Sequence, residues 1–227
     1  MTDAPLIHSL KFGSTQDAVE AVREVGSRVA SIAAHIRTGC ERNEINLALH
    51  NLAERISLEL LRIARNHDQG LDLIAWSTRN AFELNLLVRF VLQTDSNAKR
   101  FLAEAAKDEQ QVLEGFLSFS STLSGEARKA VERRVTQIDE LAAKHGVKLL
   151  KQLQTAEVAK LVGCDEEYTA MFKFMSKYVH PSSWLVNRPP SETQSETYWN
   201  VLMIHAQIYA SDAYERICKA LRIQDDV

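Results

Sequence analysis

An arginine and a glutamate four residues apart stand out in the most apolar stretch of the sequence. Residues at this spacing share one face of an α-helix, so the Arg79 guanidinium and the Glu83 carboxylate can meet. The line through them also carries Trp76 and Phe90, which predicts that the face is at least partly buried. A charge that leaves water needs a partner, so the pair is either an ion pair that fixes helix packing or part of a functional site.

A histidine followed by a proline ends the later segment FKFMSKYVHP. Pro181 disfavours helical geometry in the residue before it, so we expect a helix to end here with His180 extended or in a turn. The dipole of the helix C-terminus favours a protonated imidazole. Two interpretations stay open, a helix stop with a histidine cap and a histidine aimed at Arg79 and Glu83. In the second, His180 would be a general acid/base and Arg79 would stabilise a phosphorane charge.

A polar stripe lies on one line of the last periodic segment and contains Tyr198, His205, Tyr209, Asp212 and Arg216. Such a stripe is usually the solvated boundary of a surface helix. The alternative places Tyr209 and His205 near the Arg79 face, where together with Trp76 they would line a cleft that holds a ligand.

Metal and cofactor motifs are missing from the sequence. It contains no Glu-x-x-His, no HExxH, no Walker loop and no GxGxxG, and none of its serines lies in a nucleophile elbow. His50 and Glu54 are four residues apart, as two metal ligands could be, but nothing nearby completes a set. The sequence therefore predicts no metal site and no cofactor.

The segment RIARNH resembles the Arg-x(4–6)-His signature of HEPN ribonucleases, which are all-helical and dimeric. The resemblance implies that Arg62 and His67 share one face at a dimer cleft and cleave RNA without a metal. Ile63 follows the arginine where that family prefers a polar residue. The alternative is that Arg62 and His67 are surface residues near a helix C-terminus, where cations are favoured.

Composition is that of an ordinary folded protein, with 45% hydrophobic and 25% charged residues in 227. A net charge of −3 gives no general attraction for a polyanion, so RNA binding would need basic residues gathered on one face. The three cysteines are far apart and odd in number, which predicts reduced thiols in a cytoplasmic protein. The first residues do not read as a signal peptide, and charges in the most apolar stretch argue against membrane insertion.

Glycine and proline are scarce, at 8 and 4 residues, and lie between long segments of helical periodicity. These segments predict helices over residues 14–39, 42–67, 71–93, 95–121, 126–145, 155–163, 165–179 and 193–222. No stretch alternates like a β-strand, and the proline-bearing segment 181–196 is expected to be a packed loop. We therefore predict an all-α fold, a single bundle of about seven or eight helices in one domain over 1–227, with 1–13 loosely ordered.

Two segments, RNAFELNLLVRFVLQ and FKFMSKYVHPSSW, occur in an order that resembles the domain-of-unknown-function 5677 family of uncharacterised bacterial all-helical proteins. Members carry an Arg-x-x-x-Glu central helix and a later Ser-x-x-Val-His-Pro segment. The matching residues here are Arg79, Glu83, Ser176, His180 and Pro181. The resemblance implies a helical bundle with a shared polar cluster. It does not indicate which activity, if any, the family has. Related helical domains occur in bacterial anti-phage and toxin systems.

Three functions of different classes follow from these observations. The first is an interaction or regulatory module, a homo-oligomer or a binder of another protein, in which Arg79, Glu83 and His180 form a buried structural network. The second is a metal-independent HEPN-like ribonuclease or related hydrolase, or a toxin or anti-phage defence effector, with the same three residues as catalytic groups. The third is a small-molecule sensor. The first is preferred because no complete catalytic constellation is visible.

Overall fold

The computed structural model describes Leu10 and residues 13–119, 123–144 and 146–223. The segment 1–13, predicted to be loosely ordered, lies outside the described residues apart from Leu10 and Gly13. Every regular element in the described part of the chain is a helix, which confirms the prediction of an all-α fold.

The helices, in chain order, are α1 (Thr15–Gly39), α2 (Glu44–Arg65), α3 (Leu71–Val91), α4 (Asp95–Ser118), α5 (Gly125–Lys144), α6 (Thr155–Leu161), α7, α8 (Ser183–Asn187), α9 (Pro190–Thr193) and α10 (Glu196–Leu221). Helix α7 is continuous but composite, and consists of Asp165–Glu167, a π-helical turn at Tyr168–Phe172, and Lys173–Val179. The short helices α8 and α9 lie in the segment that the sequence predicts to be a loop.

Four long helices, α1, α2, α3 and α10, form the core. Short connections join α1 to α2 and α2 to α3, which makes each pair antiparallel neighbours. Helix α10 packs against both α3 and α1. The Thr78 side chain donates to the carbonyl of Leu202, and the Asn85 side chain donates to the carbonyl of Tyr209. Because the second bond lies further along both helices than the first, α10 runs parallel to α3. Two parallel helices need a long connection, and α4–α9 provide it.

Helix α3 is the central helix of the fold. It contacts α2, α10, α4, α6 and α7, which explains why its sequence is apolar on most sides. Its buried apolar side chains include Ile74, Phe82, Leu86 and Val91. The charged residues Arg79, Glu83 and Arg89 of α3 are therefore half-buried beside side chains of the neighbouring helices.

Helices α4 and α5 form a hairpin that is attached to the core by the first half of α4. Phe101 and neighbouring residues of α4 pack against the core, whereas α5 packs chiefly against α4. Arg134 of α5 donates to both carboxylate oxygens of Glu109 on α4, at 2.7 and 3.0 Å. Within α5 a single residue, Ile138, is buried. The hairpin thus exposes far more of its surface than the core helices do.

Gly70 precedes α3 with φ +146°, where a side chain is strained, and a Cβ there would lie 2.6 Å from Asp72 Oδ1. We expect Gly70→Ala to lower the free energy of unfolding, measured by urea denaturation, by about 1–2 kcal/mol. The control is Gly115→Ala in α4, where a Cβ would meet nothing within 4 Å. It should stabilise the protein by about 0.5–1 kcal/mol. A loss of equal size in both variants would contradict this explanation.

Candidate functional site

Arg79 and Glu83 form an ion pair on α3. Arg79 Nε donates to Glu83 Oε1 at 2.8 Å, and the Thr155 hydroxyl at the start of α6 donates to the other carboxylate oxygen at 3.3 Å. The Arg79 guanidinium carbon lies 4.1 Å from the centroid of the Phe172 ring. The side chains are 18% and 27% exposed, so the pair is half-buried rather than fully enclosed. Each charged group already has partners within the protein.

The π-helical turn of α7 covers this ion pair. Its Tyr168 and Phe172 rings stack at 4.6 Å, and Tyr168 also lies 6.4 Å from the ring of Phe82 on α3. Burial raises the pKa of Tyr168, and the negative charge of Glu83 raises it further. The wider π turn places two aromatic rings on one side of α7, where they shield Arg79 and Glu83 from solvent.

His180 ends α7 in an extended conformation, with φ −114° and ψ 150°, which confirms the expectation from Pro181. Its side chain is exposed and lines a shallow pocket of about 470 Å³ that also contains Asp72 and Arg188. The hydroxyl of Ser176, one turn earlier, is buried without a hydrogen-bond partner among the described residues.

The predicted buried cluster of Arg79, Glu83 and His180 does not form. Helix α7 runs antiparallel to α3, because Tyr168 lies beside Phe82 whereas Phe172 lies over Arg79. His180 comes eight residues after Phe172, which carries it about 12 Å further along α7, towards the beginning of α3. The structure therefore brings Arg79 and Glu83 together and leaves His180 at another place on the surface.

Arg62 and His67, the alternative catalytic pair, have different partners. Arg62 donates to the Glu59 carboxylate at 2.7 Å, and its guanidinium carbon lies 4.8 Å from the Trp76 ring centroid. The His67 ring bonds to the backbone carbonyl of Ala64 at 3.2 Å. No hydrogen bond joins these two side chains, so the geometry does not assemble them as one site.

Glu59 is the centre of a cluster that the sequence analysis missed. Its side chain is fully buried on α2, and Arg55 and Arg62 each approach one carboxylate oxygen to 2.7 Å. Trp76, on α3, covers Arg62 and is 41% exposed. A signal was available, because a glutamate on the buried face of α2 has arginines four residues before and three residues after it.

Tyr209 and His205 lie on α10 on the side that faces α3. The Tyr209 ring lies 4.6 Å from that of Phe82, which places it on the same side of α3 as Arg79. Tyr209 is buried in the core, however, and burial together with the adjacent Glu167 carboxylate raises the pKa of Tyr209 far above its ordinary value. His205 bonds to a carbonyl of its own helix at 2.7 Å.

The cleft predicted for a small-molecule sensor is therefore not assembled from its three candidate residues. Trp76 covers Arg62, Tyr209 packs against Phe82, and His205 lies half-buried beside Tyr209. Trp76 thus faces α2, whereas Tyr209 fills the contact between α3 and α10.

A second missed cluster joins the ends of α3 and α10 around Asp212. One carboxylate oxygen accepts from Arg89 at 2.9 Å, from Asn85 at 2.7 Å and from Arg216 at 2.8 Å. Burial alone would raise the pKa of Asp212, but the hydrogen bonds and the two positive charges outweigh it and lower the pKa below 3.8. Arg89 also approaches the Cys164 thiol, at 3.3 Å.

The described part of the chain contains neither a metal-binding cluster nor a membrane-spanning helix. No group of three or more His, Cys, Asp or Glu side chains could hold a metal ion. None of the helices described is long and apolar enough to cross a membrane.

Apolar side chains remain exposed on the α4–α5 hairpin. Val112 and Phe116 in the second half of α4 are 58% and 52% exposed. A groove of about 830 Å³ lies nearer the core, between α4, α5 and the segment that follows α5. Its apolar lining includes Leu102, Ala106, Ile138, Leu141 and Val147. Contiguous exposed apolar surface is typical of interaction sites when it exceeds a few hundred Å².

Comparison with known proteins gives one match. The model of a family described as a family of unknown function, DUF5677, matches residues 47–188, which is more than half of the chain. The matched range begins in α2 and ends just after α8, so it includes both the ion pair on α3 and the hairpin. No curated protein and no solved structure matches the chain.

Proposed function

The chain belongs to the DUF5677 family, as its sequence motifs predict, and we propose that it is a protein-interaction module that binds through the α4–α5 hairpin. The observation that carries this proposal is the exposure of Val112 and Phe116 on the outward face of α4. Water contact with two large apolar side chains four residues apart is unfavourable, and a partner surface would remove it.

The position of these residues on α4 supports the proposal. At 100° per residue, Phe101, Ala105, Val112 and Phe116 fall on one stripe of the helix. The first part of this stripe packs on the core at Phe101. The second part extends beyond the core and carries Val112 and Phe116, with Asp108 between the two parts. A helix that needed to bury only its first half would have polar residues at positions 112 and 116.

The polar groups of the chain favour the module over a catalyst. General acid/base catalysis needs the base and the charge-stabilising group within reach of the same reacting atom. Arg79 is engaged by Glu83 and Phe172, and His180 lies about 12 Å further along α7 from the residue that contacts Arg79. The two residues of the alternative pair likewise have different partners, since Arg62 bonds to Glu59 and His67 to a backbone carbonyl.

The test uses a double variant that carries both Val112→Asp and Phe116→Asp. It is compared with the single variant Val186→Asp. Val186 is 66% exposed on α8 and serves as the control for placing a carboxylate at an exposed apolar site. Each protein is isolated gently from cells at its native expression level, and the mass of its assembly is measured by light scattering. We expect the double variant alone to run as a single chain, with an unchanged melting temperature.

Two results would contradict the proposed function. The first is an assembly mass that does not change in the double variant. The second is RNA degradation by the purified wild-type protein with EDTA present that is lost in Arg79→Ala or His180→Ala without loss of thermal stability. The second result would instead favour the metal-independent ribonuclease.

A further inference from the structure

We propose that the partner of the hairpin is a second copy of this chain, and that each hairpin inserts an apolar ridge into the groove of the other about a two-fold axis. The ridge consists of Val112 and Phe116, and the groove is the apolar groove described above. This inference rests on the proposed function and names its partner.

One residue of the ridge and one residue of the groove lie on the same line of α4. The groove residue Leu102, the central residue Glu109 and the ridge residue Phe116 are spaced by seven residues. They therefore fall within about 40° of one line on the helix. Phe116 lies about 10 Å from Glu109 towards the tip of the hairpin, and Leu102 about 10 Å towards the core. A two-fold axis that passes between Glu109 and its partner Arg134 therefore brings the ridge of one copy to the groove of the other. Such an isologous contact closes on itself as a dimer.

The charges at the centre of this face are self-complementary. Glu109 and Arg134 form a two-pronged ion pair, and their side chains are 43% and 47% exposed. Both line the groove. At a two-fold axis through this pair, the carboxylate of one copy faces the guanidinium of the other. The four charges then alternate in sign. This arrangement favours a second copy over a partner whose surface carries charges of one sign only.

The first experiment is sedimentation equilibrium of the purified wild-type chain and three variants. The wild type should be a dimer that dissociates on dilution. Phe116→Asp in the ridge and Leu141→Asp in the groove should each raise the dissociation constant by about 30-fold or more. Val186→Asp should leave it unchanged. A wild type that is monomeric at every concentration, or a control that dissociates equally, would overturn the inference.

The second experiment tests the reciprocal geometry by disulfide formation in a Cys40→Ser background, since the other two cysteines are buried. Copies carrying Phe116→Cys are mixed with differently tagged copies carrying Leu141→Cys. We expect mixed disulfides between positions 116 and 141. Copies with Phe116→Cys alone should not crosslink, because the two Phe116 positions lie on opposite sides of the two-fold axis, more than about 10 Å apart. Preferential crosslinking of 116 to 116 would overturn the arrangement.

Failure of this inference can be told apart from failure of the proposed function. The purified chain could be monomeric while the assembly isolated from cells contains a different protein and is lost in the Val112→Asp, Phe116→Asp variant. In that case the hairpin is an interaction surface, but the proposal that its partner is a second copy is wrong. If neither the purified chain nor the cellular protein assembles, both proposals are wrong.

Discussion

Asp212→Asn is expected to lower the free energy of unfolding by about 3 kcal/mol, the largest effect of any single substitution considered, because it leaves Arg89 without its counter-charge. The Asp212 and Arg89 side chains are 14% and 25% exposed, so solvent compensates little of the loss. Asparagine keeps the size of the side chain, which separates the loss of charge from the formation of a cavity. Urea denaturation monitored by circular dichroism gives the measurement.

The control for this substitution is Glu192→Gln. Glu192 forms an ion pair of similar length with Arg188, at 2.6 Å, but both side chains are at least half exposed. Exposed ion pairs contribute little, so the control should lose at most about 1 kcal/mol. Equal losses in the two variants would show that the partly buried network around Asp212 does not stabilise the fold as described.

The pH dependence of stability gives an independent check on Asp212. Because its folded pKa lies below the ordinary value of 3.8, its contribution is fully present above that pH. The contribution is lost as the pH falls through the folded pKa. Wild-type stability should therefore decline in the acid range more steeply than that of Asp212→Asn, and the two proteins should converge at the lowest pH. Parallel curves would contradict the lowered pKa.

Glu59→Gln is the substitution with the second largest expected effect, a loss of about 2–3 kcal/mol in the free energy of unfolding. Glu59 is fully buried and engages Arg55 and Arg62, and a neutral amide removes the charge that holds both arginines. Release of Arg62 should also change the emission of Trp76, whose ring it covers. Chemical denaturation followed by tryptophan fluorescence reports both effects.

Glu54→Gln provides the matched control on the same helix. Glu54 is exposed on α2, and its replacement should change stability by less than about 0.5 kcal/mol. A double-mutant cycle with Arg62→Gln would then isolate the coupling between Glu59 and Arg62. A coupling energy near zero would mean that Glu59 is held by its surroundings and not by Arg62.

The fold could be predicted from the sequence wherever it depends on interactions between residues that are close together in the chain. The side chain of Ser14 caps α1, and the Asp17 carboxylate accepts from the Ser14 amide, a capping box that follows from the three-residue spacing of the two side chains. The extended conformation of His180 follows from Pro181, and the Arg79–Glu83 ion pair follows from spacing within one helix. The short helices α8 and α9 were missed because four or five residues do not complete a hydrophobic period.

The contacts between distant segments could not be predicted in the same way. Helical spacing shows which residues share a face of one helix but not how far a neighbouring helix slides along it. The packing of Tyr168 against Phe82 sets the register of α7 on α3, and that register separates His180 from Arg79. The partners of Asp212 were missed for the same reason, since Arg89 lies on a different helix.

The hairpin illustrates a further point about amphipathic patterns. The apolar stripe of α4 predicts a helix with a buried face, and Phe101 fulfils that expectation. The pattern alone does not reveal that the core ends before Val112. Only the packing of α4 shows that the second half of the stripe is left exposed within one chain.

Photo-crosslinking in cells tests the central claim, that the hairpin is an interaction surface, most directly. A photoreactive phenylalanine analogue replaces Phe116 in one strain and Val186 in another, and adducts are identified by mass after irradiation. We expect one discrete adduct from position 116, with twice the mass of the chain, and no matching adduct from position 186. The same adducts from both positions, or none from position 116, would contradict it.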